Sequence, residues 1–138
     1  MTSYLDASAV LRILFDEPGP SISLGSSTTA ASSRLVEVEA FRAVDRARLR
    51  GFLSDAETAR KSKELHSLLA KLHLVPVSDA IVRLARSTFP VNVRALDALH
   101  VATAQLLVEQ VGALEFWTHD ARQSDAALSR GLDVRGTA

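Results

Sequence analysis

Short apolar runs alternate with helix-period segments along the whole chain, and this alternation constrains the fold more than any other feature. Residues 3–6 read as a strand, and "ASAVLRILF" (7–15) as a mostly apolar helix. "DEPGPSISLGSS" (16–27) is rich in Gly, Pro and Ser and predicts a loop. "TTAAS" (28–32) predicts a weak strand, and 35–50 a helix that Gly51 ends. Ser54 with Glu57 forms a capping box for a second long helix to about Leu72. "LVPV" (74–77) predicts a strand, Ser78 caps a helix through Arg86, and "FPVN" breaks the chain. Residues 95–110 predict a helix that is apolar on nearly every side, hence buried. A strand (114–118), a helix (120–130) ended by Gly131, and a last strand "LDV" complete the pattern.

Strands separated by helices pair in parallel through right-handed crossovers, with helices on both faces of the sheet. The expected architecture is therefore α/β: a three-layer α/β/α sandwich around a central, mainly parallel twisted sheet of four to five short strands, in one domain spanning residues 1–138. That length supports a single core, and the 47 % hydrophobic content is ordinary for a globular chain. No apolar run reaches the roughly 18 residues that span a bilayer. "MTSYLDAS" lacks the basic and apolar regions of a signal peptide, so the expected location is the cytoplasm, with no membrane contact. The absence of cysteine excludes disulfides and thiolate metal sites.

Lysine plus arginine equals aspartate plus glutamate, 16 each, which argues against nucleic-acid binding by bulk attraction. A local basic patch is compatible with that balance. Arg42, Arg46, Arg48, Arg50, Arg60, Lys61 and Lys63 crowd the middle of the chain. Arg42 and Arg46 are candidate phosphate contacts, with a solvated, ion-paired helix face as the competing reading.

In parallel sheets the chemistry collects at the carboxyl ends of strands. Asp6 and Asp120 both follow strands and both reach that edge. Each has an ordinary reading as an acid at a helix start, and a functional one as a metal ligand or catalytic carboxylate. Asp97 lies in the first turn of the buried helix, where an unpartnered acid is costly. His100, one turn on, reads as a structural histidine. On the helix at 35–50, Glu37 and Glu39 point to different sides, and periodicity does not choose between them. Ser8 reads as a first-turn residue that could orient Asp6 or a metal-bound water.

Competing chemistries lack their motifs. There is no nucleophile elbow, phosphate-binding P-loop or dinucleotide fingerprint. His66, His73, His100 and His119 have no zinc-peptidase spacing, and Ser8 stands where a D-x-D phosphatase needs its second acid.

Four stretches, "YLDASAVLR", "SSRLVEVEAFRAV", "ALDALHVATA" and "WTHDARQSDAALSRGLDV", resemble the signature blocks of the PIN-domain family, in the family's order and from end to end of the chain. They are most similar to VapC-type toxins of bacterial toxin–antitoxin pairs. The resemblance selects Glu39 over Glu37, because the family's second acid precedes a small-residue and arginine stretch. It implies a PIN-like sandwich in which Asp6, Glu39, Asp97 and Asp120 converge on one or two Mg2+ or Mn2+ ions, with Thr118 and Ser8 supporting Asp6 or a ligand water. It further implies an endoribonuclease that cuts tRNA or rRNA with metal-activated water, a homodimer, and neutralisation by a cognate VapB-type antitoxin. The stretch 16–27 departs from the many relatives that carry an additional helix there. A catalytically inactive PIN-fold binding module and a metal-dependent phosphatase are the alternatives to be separated by experiment.

Overall fold

The structure is a computed structural model that describes residues 1–25 and 28–137. Its elements run β1 (Thr2–Leu5), α1 (Ala7–Leu14), β2 (Thr29–Ser33), α2 (Leu35–Leu49), α3 (Asp55–Leu69), β3 (His73–Val75), α4 (Asp79–Ala85), α5 (Ala95–Val111), β4 (Leu114–Trp117), α6 (Ala121–Ser129) and β5 (Asp133–Arg135). The five strands form one sheet in the order β3-β2-β1-β4-β5, and every pairing is parallel. The chain thus builds outward from β1 to β3, returns across the sheet, and lays β4 on the other side of β1.

That reversal decides the layers. Right-handed crossovers place the helices on one face while the chain moves one way across a sheet, and on the opposite face when it moves back. Side chains of successive strand residues alternate between faces, and the two cores divide accordingly. Leu5 and Ala30 pack with Val10, Leu14, Val36, Val44, Leu65 and Leu69 of α1, α2 and α3. Tyr4, Ala31 and Phe116 pack with Val101, Ala104, Leu107 and Ala127 of α5 and α6. The result is the expected three-layer α/β/α sandwich. No helix among the described residues is long and apolar enough to cross a membrane.

Element ends differ from the sequence pattern where a local hydrogen bond intervenes. β3 stops at Val75 because Pro76 has no N–H to donate. The last strand begins at Asp133 because the Leu132 amide donates back to the Ala127 carbonyl and closes the end of α6. The second long helix ends at Leu69, and two tighter turns through Lys71 and Leu72 follow it. Phe15 closes α1, and the Gly/Pro/Ser-rich stretch after it carries neither helix nor strand through Gly25. Ser26 and Ser27, the end of the expected loop, lie outside the described residues. The helix 95–110 is buried along Ala98, Val101, Ala102, Ala104 and Leu107, but its first turn opens to solvent, with Leu96 47 % exposed.

One backbone contact ties the edge of the sheet to its centre. The Thr118 amide donates to the Arg135 carbonyl at 3.0 Å. The next residue, Gly136, has φ +97°, and a Cβ there would lie 2.5 Å from the Thr118 carbonyl oxygen. Gly136→Ala therefore combines a disfavoured backbone angle with a clash. We expect it to cost about 1 kcal/mol or more of unfolding free energy, measured by urea denaturation. A variant as stable as the parent would show that the chain end yields without moving Thr118.

Candidate active site

Asp6 leaves β1 and becomes the N-cap of α1, with its Oδ1 accepting the Ala9 amide at 2.9 Å. It is 4 % exposed. A carboxylate this buried needs partners, and hydroxyls supply them. Ser8 donates to Oδ1 at 2.7 Å and Thr118 to Oδ2 at 2.6 Å. Thr118 is available because β4 pairs directly with β1, Leu5 opposite Trp117, and the Asp6 amide extends the ladder to the Trp117 carbonyl at 3.1 Å. The two hydroxyls also bind the backbone of the neighbouring junction. The His119 amide donates to Ser8 Oγ at 2.8 Å and the Asp120 amide to Thr118 Oγ1 at 3.1 Å. Residues 111 and 112 positions apart in sequence thus lace the start of α1 to the start of α6.

Asp120 caps α6, its Oδ1 accepting the Arg122 amide at 2.9 Å. Asp97 lies in the first turn of α5, half-buried, with its side chain 20 % exposed. Arg94, at the N-cap position of the same helix, reaches toward both. Its Nε is 3.6 Å from Asp97 and its Nη2 3.7 Å from Asp120. The arginine side chain is 69 % exposed, so these long ion pairs are weak. Gln123 of α6 donates to the Asp97 carbonyl at 3.3 Å and holds the two helix starts together.

The structure separates the two acids that periodicity left open. Glu37 pairs with Arg34 at 2.8 Å on the exposed side of α2. Glu39 turns inward, its side chain 19 % exposed, and its Oε1 lies 2.6 Å from Nε2 of His100. The other ring nitrogen of His100 lies 2.6 Å from the Tyr4 hydroxyl. Sequence reasoning read His100 as merely structural and passed over Tyr4 and Arg94. Spacing held one signal: His100 follows Asp97 by about one helical turn, and the two therefore share a face. Arg42 is exposed and paired with Asp45 at 2.8 Å, which matches the ordinary reading of that helix face. Arg46 is exposed and forms no ion pair among the described residues.

Burial raises the pKa of Asp6 above the usual carboxylate range, opposed chiefly by the hydroxyls of Thr118 and Ser8. Burial also raises Asp97, and the negative charge of Asp120 adds to it, with Arg94 and His100 pulling the other way and Glu39 adding a smaller push. Among the described residues, no three Asp, Glu or His side chains are disposed to hold a metal ion as they stand. Their carboxylates are turned to protein partners: Asp6 to hydroxyls, Glu39 to His100, Asp97 and Asp120 to Arg94. The donor chemistry nevertheless fits a hard divalent cation, since every candidate ligand is a carboxylate oxygen. The repulsion that raises Asp97 is what such a cation would relieve.

Both raised acids act on stability with the same sign. A carboxyl whose folded pKa exceeds its unfolded value holds more protons when folded. Its stabilisation is complete below the unfolded pKa and is lost as pH rises through the folded one. The window opens above the reference value of 3.8. We expect metal-free Asp97→Asn to gain on the parent as pH rises through that window, reaching under about 1 kcal/mol near neutrality. Urea denaturation of both proteins across the window checks this, and a gap that is constant or shrinks with pH would contradict it.

The PIN domain family model matches residues 3–128 of this chain. Ribonuclease VapC46 of Mycobacterium tuberculosis is 35 % identical over 134 residues, covering 95 % of this chain and 94 % of that protein. Ribonuclease VapC47 of the same species is 32 % identical over 123 residues, covering 84 % of each. In fold, the chain is similar to a chain of VapBC2 from Rickettsia felis bound to a DNA fragment from their promoter, with a TM-score of 0.66 at 14 % identity over 98 % of each chain. It is also similar to a chain of a toxin-antitoxin complex from Klebsiella pneumoniae, with a TM-score of 0.60 at 14 % identity, over 96 % of this chain and 95 % of the other. The match over most of its length and the identity to the two ribonucleases lead to one conclusion: the chain belongs to the PIN-domain family.

Proposed function

We propose that the chain is a Mg2+- or Mn2+-dependent endoribonuclease toxin, held in check by a cognate VapB-type antitoxin. The observation that carries this reading is the gathering of acids at one edge of the sheet. Asp6 and Asp120 stand at the ends of β1 and β4, the adjacent strands where the chain reverses its order, and Asp97 and Glu39 approach from α5 and α2. Ligand sites in parallel sheets favour that crevice. The names of the two ribonucleases at 35 % and 32 % identity support the activity, and the titles of the two fold relatives agree with a toxin–antitoxin setting.

In this reading Asp6, Asp97 and Asp120 hold the cation, and Glu39 holds it or orients the attacking water. The cation, when bound, acidifies water and neutralises charge that develops on the phosphodiester. The chain's own residues set the geometry. Ser8 and Thr118 fix the rotamer of Asp6. Arg94, exposed beside Asp97 and Asp120, can exchange those carboxylates for a substrate phosphate once the cation neutralises them. Arg46 and, once freed from Asp45, Arg42 would contact the RNA backbone from the exposed side of α2. The substrate is RNA, of the tRNA or rRNA class, and the working form is a cytoplasmic homodimer.

Cleavage of labelled RNA with Mg2+ tests the proposal. We expect activity that chelation abolishes, that falls at least about 100-fold in Asp6→Asn or Asp97→Asn, and that exceeds hydrolysis of a phosphate monoester. Cleavage surviving in Asp6→Asn or in chelator would overturn the mechanism. Retained RNA binding without any cleavage would favour the binding module, a reading that the acids' present engagement with Arg94 and His100 also fits. Preferential monoester hydrolysis would favour the phosphatase.

A further inference from the structure

We infer that Tyr4 and His100 form a buried relay that positions the Glu39 carboxylate, with the His100 Nε2 proton directed at it. The inference rests on Glu39 belonging to the proposed site, and it assigns a task to two residues which that reading does not use.

Three side chains from three elements make the relay. Tyr4, on β1, is fully buried, and its ring stacks on Phe116 with centroids 5.3 Å apart and planes 13° apart. Its hydroxyl lies 2.6 Å from His100 Nδ1. His100, on α5, is 1 % exposed, and its Nε2 lies 2.6 Å from Glu39 Oε1 on α2. The two helices lie on opposite faces of the sheet, so the imidazole joins the layers around the end of the central strands.

The hydrogen bonds fix one ring proton. A carboxylate can only accept, so Nε2 must carry the proton. The phenol retains its own proton, because burial and the nearby charge of Asp6 oppose its ionisation. Its hydroxyl faces Nδ1 at 2.6 Å and pairs with it as donor to a bare nitrogen or as acceptor from a protonated one. Tyr4 thus orients the imidazole, and the imidazole pins one oxygen of Glu39. The second oxygen stays directed by the first, as carboxylate geometry requires. Histidine and tyrosine here are positioning residues and need not touch a substrate. Partners of this kind commonly change metal affinity or activity by about 10–100-fold when removed.

The experiment combines imidazole nitrogen resonances with manganese binding, using the full chain. In the metal-free protein we expect a proton on His100 Nε2, and an Nδ1 resonance that shifts in Tyr4→Phe. His100→Ala should shift the Glu39 carboxyl carbon resonance and weaken Mn2+ binding about 10–100-fold. His100→Gln should recover much of both, because its amide offers an N–H near the same place. Should the alanine variant fail to fold, Tyr4→Phe and His100→Gln carry the comparison. A bare Nε2, an Nδ1 resonance indifferent to Tyr4→Phe, or a Glu39 resonance indifferent to His100→Ala would overturn the relay. Equal Mn2+ affinity in the parent, His100→Ala and His100→Gln would do so as well. A parent that binds no Mn2+ or cuts no RNA would remove the proposed function, while the imidazole and Glu39 resonances would still decide the relay.

Discussion

The direct pairing of β1 with β4 is the constraint on which the rest of the structure depends. It brings the end of the first strand within hydrogen-bond reach of residues more than a hundred positions later. Without that pairing Asp6 would be a buried carboxylate capping one helix. With it, Thr118 and Ser8 satisfy the acid and at the same time bind the backbone of the α6 junction. A hydroxyl suits this place because it donates to one group and accepts from another. Each of the two is engaged in both directions, which makes the junction rigid as well as polar.

Rigidity matters because the acids repel one another. Asp97 is raised by burial and by Asp120, and the fold tolerates that cost with long contacts to a mostly exposed arginine. Stronger neutralisation was available in principle, since a short, two-pronged arginine–carboxylate pair is far tighter. A loosely compensated cluster keeps its carboxylates available to another cation, whereas a tightly paired one would lock them away. Glu39 follows the same logic: one imidazole nitrogen orients one of its oxygens and leaves the other free.

Much of the architecture was legible in the residue pattern. The types and order of elements follow from local periodicity, capping residues and glycine stops, and the parallel, two-faced sheet follows from their alternation. The misplaced ends have specific causes in Pro76 and in the Leu132 amide. Asp6 and Asp97 stood out because acids at the starts of apolar helices are conspicuous, and Asp120 because it follows a strand. Glu39 did not, because a helix with charges on several sides offers no preferred face, and only family resemblance separated it from Glu37. His100 was set aside, since a single histidine on an apolar helix looks the same whether it packs or directs a carboxylate.

The sequence by itself determined which segments are strands and helices, that the strands run parallel, and that acids lie at strand ends. These are properties of neighbours along the chain, governed by backbone propensity and by the periods of helix and strand. Only the tertiary structure decided that β4 lies beside β1, that Thr118 closes on Asp6, that Arg94 spans Asp97 and Asp120, and that Tyr4, His100 and Glu39 meet. Most of those contacts join residues 61 to 112 positions apart. A hydrogen bond depends on direction and on tenths of an ångström, which the packing of two helical layers on a sheet sets and no local pattern encodes.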